Sequence, residues 1–297
     1  MPTNSPRAVF VTRESDYELL LARHATREQA RFFLETRGQR IETLEDRDRQ
    51  LHDALKQARL AVPNDWRQAH VRRPDLDRFL FGPEDVIVPV GQDGLVANVA
   101  KYLAGQPVLG VNPSPDLYDG ILVRVPVGHL TDLLRAGAAG QAPIERRTMV
   151  DARLDTGEHL LALNEVFVGH RSHQSARYSI AVGSSREDHS SSGLIVASGT
   201  GATGWARSVM ESMGTHLSLA PEERAVAYFV REAFPSIATC TSIRAGKLAD
   251  EPIEVTSRMN DGGVIFADGM EQDFLVFDWG RRVSVAPAAH ALHLVTG

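Results

Sequence analysis

A strand, a tight turn and a helix that follow one another directly constrain this chain more than any other feature. Val86–Val90 is a short run rich in β-branched residues, typical of a strand buried on both faces of a parallel sheet. It runs into Gly91–Gly94 (Gly-Gln-Asp-Gly), and from Leu95 onward apolar residues recur at helical spacing. Residues 106–111 return as another buried strand. This pattern predicts a βαβ unit, and such sheets bind ligands at the carboxyl ends of their strands.

The pattern of predicted secondary structure in the 297-residue chain changes after about residue 124. Helical stretches alternate with strands before that point, whereas short β-forming runs separated by turn residues follow it. We predict an α/β domain with a parallel sheet over residues 1–123, a β-rich domain over 124–280, and a tail, 281–297, that returns to the first domain.

Three local predictions concern the second half of the chain. The apolar run Leu160–Val168 predicts one buried strand, and Pro221–Val230 is a candidate helix. The serine-rich stretch Ser184–Ser192 is typical of a mobile hairpin loop.

Composition excludes several classes of function. The formal net charge of −6 provides no basic surface for a nucleic-acid backbone, so DNA and RNA are not expected as partners. No apolar run approaches the roughly 18 residues of a spanning helix, so we expect no membrane association. Cys240 is the one cysteine and cannot form an intramolecular disulfide. We expect Cys240 to be a small buried residue. Because the sequence does not require an oxidising compartment, we expect the protein to be cytoplasmic.

The Gly91–Gly94 turn lies where a phosphate-binding turn is expected. Glycines allow positive φ and close approach of a ligand to the backbone, and the following helix offers free N–H groups. A carboxylate at Asp93 suits this place if it orients or deprotonates an attacking hydroxyl, or helps to hold Mg²⁺. The alternative is an Asp-Gly turn that only caps the helix.

A polar pair, Asn164 and Glu165, interrupts the apolar run of a predicted buried strand. Buried polar groups need partners. A carboxylate can accept hydrogen bonds from both hydroxyls of a ribose, and the adjacent amide can fix a second polar group. The alternative is a pair that backbone groups satisfy.

The segment Ala197–Trp205 ends a strand with three glycines and two threonines and then begins a helix. Its amides and hydroxyls could hold a nucleotide without charge, although a flexible loop is the alternative. Trp205 is expected in the core. His170 and His173 lie in a turn without nearby cysteines or paired acids, so no metal site is predicted there.

Five segments, taken in order, resemble the NAD kinases. That family has a Gly-Gly-Asp-Gly loop after a strand, then Gly-Val-Asn, Asn-Glu, Thr-Pro-Thr-Gly-Ser-Thr-Ala-Tyr, and a late Asp-Gly. The counterparts here are Gly91–Gly94, Gly110–Asn112, Asn164–Glu165, Ser198–Trp205 and Asp268–Gly269. The resemblance covers residues 84 to 280 and is stronger to the mitochondrial-type branch than to the common bacterial one.

One departure concerns the first loop, where Gln92 replaces a glycine of the family pattern. If that position requires positive φ, the side chain costs about 1 to 2 kcal/mol. The geometry with which the loop holds the phosphoryl donor depends on this point.

The resemblance implies the NAD kinase or diacylglycerol kinase-like fold and the transfer of a phosphoryl group from ATP, with Mg²⁺ as cofactor. The acceptor would be the adenosine-ribose 2′-hydroxyl of NAD, and the product NADP. Similar kinases are homodimers or homotetramers.

The resemblance also implies roles for individual residues. Asp93 would be the catalytic residue that orients or deprotonates the hydroxyl, and no protein residue is predicted as a metal ligand. The nucleotide-binding residues that it implies are Gly91 and Gly94 at the phosphates, Asn112, Asn164 and Glu165 at the nicotinamide-side ribose and carboxamide, Thr200, Gly201 and Thr203 at the dinucleotide, and Asp268 near a phosphate or ribose.

Two other functions remain open at this point. A lipid kinase of the related diacylglycerol kinase fold shares the glycine-rich loop, although the Asn164–Glu165 pair suits a ribose better than a glyceride. A non-catalytic NAD(P)-binding module is the second alternative, and Gln92 is the residue that motivates it.

Overall fold

The computed structural model describes residues 5–237, 239–249 and 251–297, which form two compact units. Unit 1 runs to Glu145 and includes His293–Gly297, and unit 2 comprises Arg146–Leu292. A parallel sheet with helices in unit 1 and a β-rich unit 2 confirm the predicted fold class. None of the helices in the described part of the chain has the length and apolarity to cross a membrane.

Unit 1 alternates strands with helices. Its elements are β1 (Arg7–Thr12), α1 (Asp16–His24), α2 (Arg27–Glu35), α3 (Ile41–Leu60), β2 (Arg67–Arg72), β3 (Asp85–Pro89), α4 (Asp93–Ala100), β4 (Pro107–Val108) and α5 (Leu130–Ala138). Strands β2, β1, β3 and β4 are neighbours in that order and all pair in parallel. The carboxyl ends of β1 and β3 therefore lie side by side.

The burial of unit 1 explains why these segments form their elements. All five residues of β3 are buried, as expected for a central parallel strand. On α3, Leu51, Ala54 and Ala58 pack into the same core at helical spacing. Helix α1, which the sequence did not predict, begins with a capping box between Ser15 and Glu18.

Unit 2 is built mainly of antiparallel strands. Its elements are β5 (Ile144–Leu154), β6 (His159–Ala162), β7 (Glu165–His170), β8 (Ala176–Val182), β9 (Ser185–Ser191), β10 (Leu194–Ala197), α6 (Trp205–Met213), β11 (Val226–Val230), β12 (Ala245–Leu248), β13 (Ile253–Ser257), β14 (Gly263–Ala267), β15 (Phe274–Val276) and β16 (Arg282–Val295). One sheet has the strand order β12-β11-β10-β7-β14-β15. In the other, β16, β13, β8 and β9 are neighbours. The first residues of β5 and the last of β16 belong to unit 1.

The single strand predicted over Leu160–Val168 is two strands, so that prediction was wrong. Strand β6 ends at Ala162 and β7 begins at Glu165. The strand is interrupted there because the N–H groups of Leu163, Asn164 and Glu165 do not pair with another strand. They donate to the carboxylate of Asp268.

Two further local predictions in unit 2 were wrong. Ser184–Ser192 is not a loop, because Ser185–Ser191 forms β9 and pairs along its whole length with β8. The turn between them is tight, with Gly183 at φ +56°. The candidate helix at Pro221–Val230 contains strand β11, whose five residues are all buried between β10 and β12.

Cys240 is exposed, which contradicts the expectation that it is buried. It lies outside the strands of unit 2, in the connection between β11 and β12. Its backbone N–H donates to the carbonyl of Asp188 at 3.0 Å, and its side chain has no role in the core.

We predict that Asp85→Ala destabilises the protein by about 3 kcal/mol, because it leaves an arginine without its buried partner. Asp85 is 3% exposed and accepts hydrogen bonds from Arg7 Nε at 2.7 Å and from the N–H of Gly82 at 2.7 Å. Urea denaturation measures the change. Asp77→Ala, which removes an exposed contact to Arg78 at 3.8 Å, is the control and should cost less than about 0.5 kcal/mol. Equal effects of the two substitutions would contradict the prediction.

Candidate active site

The Gly91–Gly94 turn connects β3 to α4 without backbone strain. Gln92 is the N-cap of α4 in an extended conformation, with φ −98° and ψ 166°. Position 92 therefore does not require positive φ, and the conformational cost that positive φ would impose on Gln92 does not arise. Among the described residues with positive φ, neither Gly91 nor Gly94 occurs, so that reason for glycine was wrong.

The reason that remains for glycine in this turn is the open space that it leaves for a ligand. A Cβ at Gly94 would meet no atom within 4 Å, and one at Gly91 would meet only the Leu95 side chain, whose Cδ2 would lie at 3.2 Å and whose Cβ at 3.9 Å. The first N–H groups of a helix have no acceptor within the helix. The beginning of α4 thus offers N–H donors and open space on the same side of the sheet edge.

The Asp93 carboxylate accepts hydrogen bonds from three consecutive backbone N–H groups. Their donors are Ile121 (2.9 Å), Leu122 (2.8 Å) and Val123 (3.2 Å). A carboxylate has about four acceptor positions, so one stays available. Asp93 therefore anchors residues 121–123 and does not merely cap its own helix.

The side chain of Asn112 hydrogen-bonds to backbone groups in the same part of unit 1. Its Nδ2 donates to the carbonyl of Tyr118 at 2.8 Å, and its Oδ1 accepts from the N–H of Ser114 at 2.9 Å. Nearby, Gly110 has no room for a side chain, because a Cβ would lie 2.2 Å from the carbonyl oxygen of Leu122. The Gly-Val-Asn segment thus fixes the loop that Asp93 holds.

Asp268 repeats the arrangement of Asp93 in unit 2. Its carboxylate accepts from the N–H groups of Leu163 (3.0 Å), Asn164 (2.7 Å) and Glu165 (3.3 Å). Its own N–H donates to the carbonyl of Glu165 at 3.0 Å. Asp268 adopts φ +51°, a left-handed conformation that is uncommon outside glycine. Its predicted contact with a phosphate or ribose stays a prediction.

One acid of the site, Glu165, has a strongly shifted pKa. The residue is only 9% exposed, and no hydrogen bond reaches its carboxyl group within the described part of the chain. Burial, and secondarily the charge of Asp268, raises the pKa of Glu165 to about 7. A buried acid without a partner is a candidate ligand-binding group.

The loop after β10 is packed against Asn164. Ser198 is fully buried, and its hydroxyl donates to the carbonyl of Leu163 at 2.5 Å and accepts from the N–H of Thr200 at 3.1 Å. A Cβ at Gly201 would lie 2.1 Å from the carbonyl oxygen of Asn164, so only glycine fits. The structure thus brings the predicted pair and the predicted loop together.

The threonines of this loop have internal partners. The Thr203 hydroxyl donates to the carbonyl of Thr200 at 2.9 Å, and the Thr200 hydroxyl accepts from Arg147 at 3.3 Å. Arg147 is 2% exposed, and sequence reasoning missed it. The sequence feature that could have revealed Arg147 is its charge inside a β-forming run of residues, 146–150.

An aromatic cavity of about 570 Å³ in unit 2 was also missed. The ring of Phe167 stacks on Phe266 at 4.8 Å and on Trp205 at 6.1 Å between ring centroids, and Arg231 lies over Trp205 at 5.4 Å. Trp205, expected in the core, is half-buried: it packs against the core cluster that contains Phe167 and also lines this cavity. Glu165 and Phe167 lie two residues apart on β7 and therefore share a face of the sheet.

The histidines of the Gly169–His173 turn line the same cavity. His170 Nδ1 accepts from the N–H of Ser172 at 3.1 Å. Among the described residues, the atoms that could hold a metal come together in an acidic cluster of unit 1, formed by Glu18, Asp48 and His52.

We predict that Glu165 makes stability depend on pH. Because its pKa is raised in the folded state, its contribution is present below about pH 4.5 and is lost as pH rises through 7. The shift corresponds to roughly 3 kcal/mol. Relative to the wild type, the gain of Glu165→Gln in the urea concentration of unfolding should therefore be small at pH 5 and much larger at pH 8. Glu254→Gln, on the exposed side of β13, is the control, and an equal gain in that variant would contradict the assignment.

The curated relatives that the chain resembles carry the name NAD kinase. No family model matches the chain. It is 39% identical over 132 residues to an NAD kinase of Heliobacterium modesticaldum and 34% identical over 133 residues to one of Ralstonia nicotianae. Each match covers 42% of this chain, and the chain spans less than half the length of these two relatives, 46% and 43%. An NAD kinase of Chlorobaculum tepidum is 25% identical over 219 residues, 71% of each chain.

Two solved structures with the same fold are an NAD kinase and an NADH kinase. An NAD kinase from Archaeoglobus fulgidus in complex with ATP has a TM-score of 0.59 at 20% identity and covers 98% of this chain and 93% of its own. Yeast NADH kinase complexed with NADH has a TM-score of 0.59 at 15% identity, over 99% of this chain and 84% of its own. The chain therefore has the two-domain fold of these NAD kinase structures.

Proposed function

We propose that this chain is an NAD kinase, which transfers the terminal phosphoryl group of ATP to the adenosine-ribose 2′-hydroxyl of NAD. The observation that carries the proposal is Glu165, a residue only 9% exposed whose carboxyl group makes no hydrogen bond with the described residues. A ribose diol can donate two hydrogen bonds to it. The similarity to NAD kinases supports the same conclusion.

Unit 2 would hold the dinucleotide. Glu165 and Asn164 would bind the nicotinamide-side ribose and the carboxamide. Since Phe167 lies on the same face of β7, the nicotinamide ring would enter the aromatic cavity and stack there. The dinucleotide would also contact the loop at Thr200, Gly201 and Thr203, mainly through backbone groups, because both hydroxyls have internal partners.

Asp93 would act on the attacking hydroxyl. Its free acceptor position would take the hydrogen bond of the 2′-hydroxyl and orient the oxygen toward the γ-phosphorus of ATP. The new O–P bond forms as the bond to the β-phosphate oxygen breaks, ADP leaves, and the hydroxyl proton passes to Asp93 and then to solvent. Phosphoryl transfer depends on such positioning more than on covalent chemistry.

The glycines of the turn would admit the phosphates. Gly94 opens on free space at the beginning of α4, where N–H groups and the helix dipole favour anions. Mg²⁺ would arrive with ATP as the magnesium complex. Asn112 would support this region through the turn that it stabilises.

Incubation with NAD, ATP and Mg²⁺, followed by enzymatic measurement of NADP, tests the proposal. NADP formation is expected. Tight NAD binding without NADP, from ATP or from polyphosphate, would instead favour the non-catalytic module. Binding to lipid vesicles without binding to NAD would favour the lipid kinase. The preference between NAD and NADH, the cytoplasmic location and the homodimeric or homotetrameric state stay predictions.

We predict that Asp93→Asn lowers NADP formation at least about 100-fold, because the amide cannot accept the hydroxyl proton. NAD affinity should stay within a fewfold of the wild type, since unit 2 would hold most of the dinucleotide. Turnover and NAD affinity measured on the same preparation check this, with thermal unfolding as a test of folding. Asp119→Asn, at an exposed residue of the same loop, is the control. A parallel loss of NAD affinity and turnover in Asp93→Asn would contradict the assigned role.

Gly94→Ala should separate stability from activity. Alanine meets no atom and favours the helix, so the free energy of unfolding should rise by about 0.5 to 1 kcal/mol. NADP formation should fall, because the methyl group occupies the space of the phosphates. Gly128→Ala also meets no atom within 4 Å and is the control, with unchanged turnover. Full activity of Gly94→Ala would contradict the placement of phosphates at this residue.

A further inference from the structure

A small cavity opens in unit 1 at the carboxyl ends of β1 and β3. Its volume is about 210 Å³. It is lined by Arg13, which follows β1, by Gly91 and Gln92, which follow β3, and by Arg47 of α3. Parallel sheets bind ligands at this position. Two arginines at the edge of a glycine-containing turn indicate an anionic ligand.

The two arginines differ in how they are held. Arg13 Nη2 donates to Gln92 Oε1 at 3.3 Å and lies 3.9 Å from the carboxylate of Asp16. Arg47 is exposed, and its guanidinium makes no ion pair or hydrogen bond with the residues that the structure describes. Arg47 therefore presents all its donors, whereas Gln92 restricts the position of Arg13.

The charge of the lining narrows the class of ligand. Glu14 and Asp16 also line the cavity. A bare anion would face two carboxylates as well as two arginines. A phosphate chain that carries a divalent cation suits this mixed lining better, because the cation accepts carboxylate oxygens while the arginines bind the phosphates.

We propose that Arg13 and Arg47 bind the phosphate chain of the phosphoryl donor, and that Gln92 positions Arg13 for this contact. The proposal rests on the proposed kinase function. The planar guanidinium matches phosphate oxygens in pairs. At about 210 Å³ the cavity is smaller than the 300 Å³ or more of typical small-molecule sites, so it encloses phosphates and leaves the rest of the donor outside.

The side chain of Gln92 contributes to the proposed donor site. Its backbone is extended, so the side chain is accommodated without strain, and its amide oxygen reaches Arg13. A glycine at this position would leave Arg13 without that contact. The residue that departs from the glycine of the NAD kinase pattern thus becomes part of the donor site.

Isothermal titration calorimetry of the full chain with sodium tripolyphosphate and MgCl₂, in the absence of NAD, tests the proposal. Arg13→Gln and Arg47→Gln should each weaken the affinity about tenfold, the size of one charge-assisted hydrogen bond. Gln92→Gly should weaken it by a smaller factor. Arg49→Gln is the matched control, because Arg49 lies on the same helix, is 69% exposed and does not line the cavity. Wild-type affinity in both the Arg13 and Arg47 variants would overturn the proposal.

Kinetics distinguish failure of this proposal from failure of the kinase function. The two variants should raise the KM for the donor and leave the KM for NAD unchanged, with ATP and with inorganic polyphosphate assayed separately. The donor that yields NADP identifies the natural source of the phosphate chain. If no NADP forms but tripolyphosphate binding still requires both arginines, the kinase function fails and the anion site stands. If NADP forms with an unchanged donor KM in both variants, the kinase function stands and this site is refuted.

Discussion

A carboxylate that accepts hydrogen bonds from three consecutive backbone N–H groups occurs in each unit, and the candidate site depends on it. Asp93 holds residues 121–123 in this way, and Asp268 holds residues 163–165. Consecutive N–H groups at a bend cannot all join a sheet, and leaving them buried without acceptors is costly. A charged acceptor stabilises the bend strongly. Asp268 thereby fixes the segment that carries Asn164 and Glu165, and Asp93 fixes residues 121–123, which pack against Gly110.

The same arrangement explains the unusual state of Glu165. Asp268 bends the chain so that β7 begins at Glu165, and its negative charge lies close to a carboxyl group that burial has already perturbed. Both effects oppose ionisation of Glu165. This costs stability near neutral pH and leaves an acid whose best available partner is a ligand. Natural proteins often accept such a cost at a functional site.

The parts of the site that the sequence predicted are those that local pattern determines. The β3–turn–α4 unit follows from periodicity over about twenty residues, and the polar pair Asn164–Glu165 is visible inside an apolar run. The partner that bends this pair, Asp268, is 103 to 105 residues away, so no local pattern reveals it. Strand β9 was hidden because its serine-rich sequence resembles a loop and becomes a strand only by pairing with β8. The fully buried β11 could not be distinguished from a helix by a short apolar run.

Proton exchange on NAD binding tests the central claim, that the Glu165 carboxyl receives the ribose of the dinucleotide. Calorimetric titration with NAD at pH 7, in two buffers of different ionisation enthalpy, measures the protons released. With a pKa of about 7 the carboxyl is about half protonated, and hydroxyl donors bind its ionised form, so binding should release about half a proton per chain. Glu165→Gln should abolish the release. NAD binding without proton release, or with the same release in Glu165→Gln, would contradict the account.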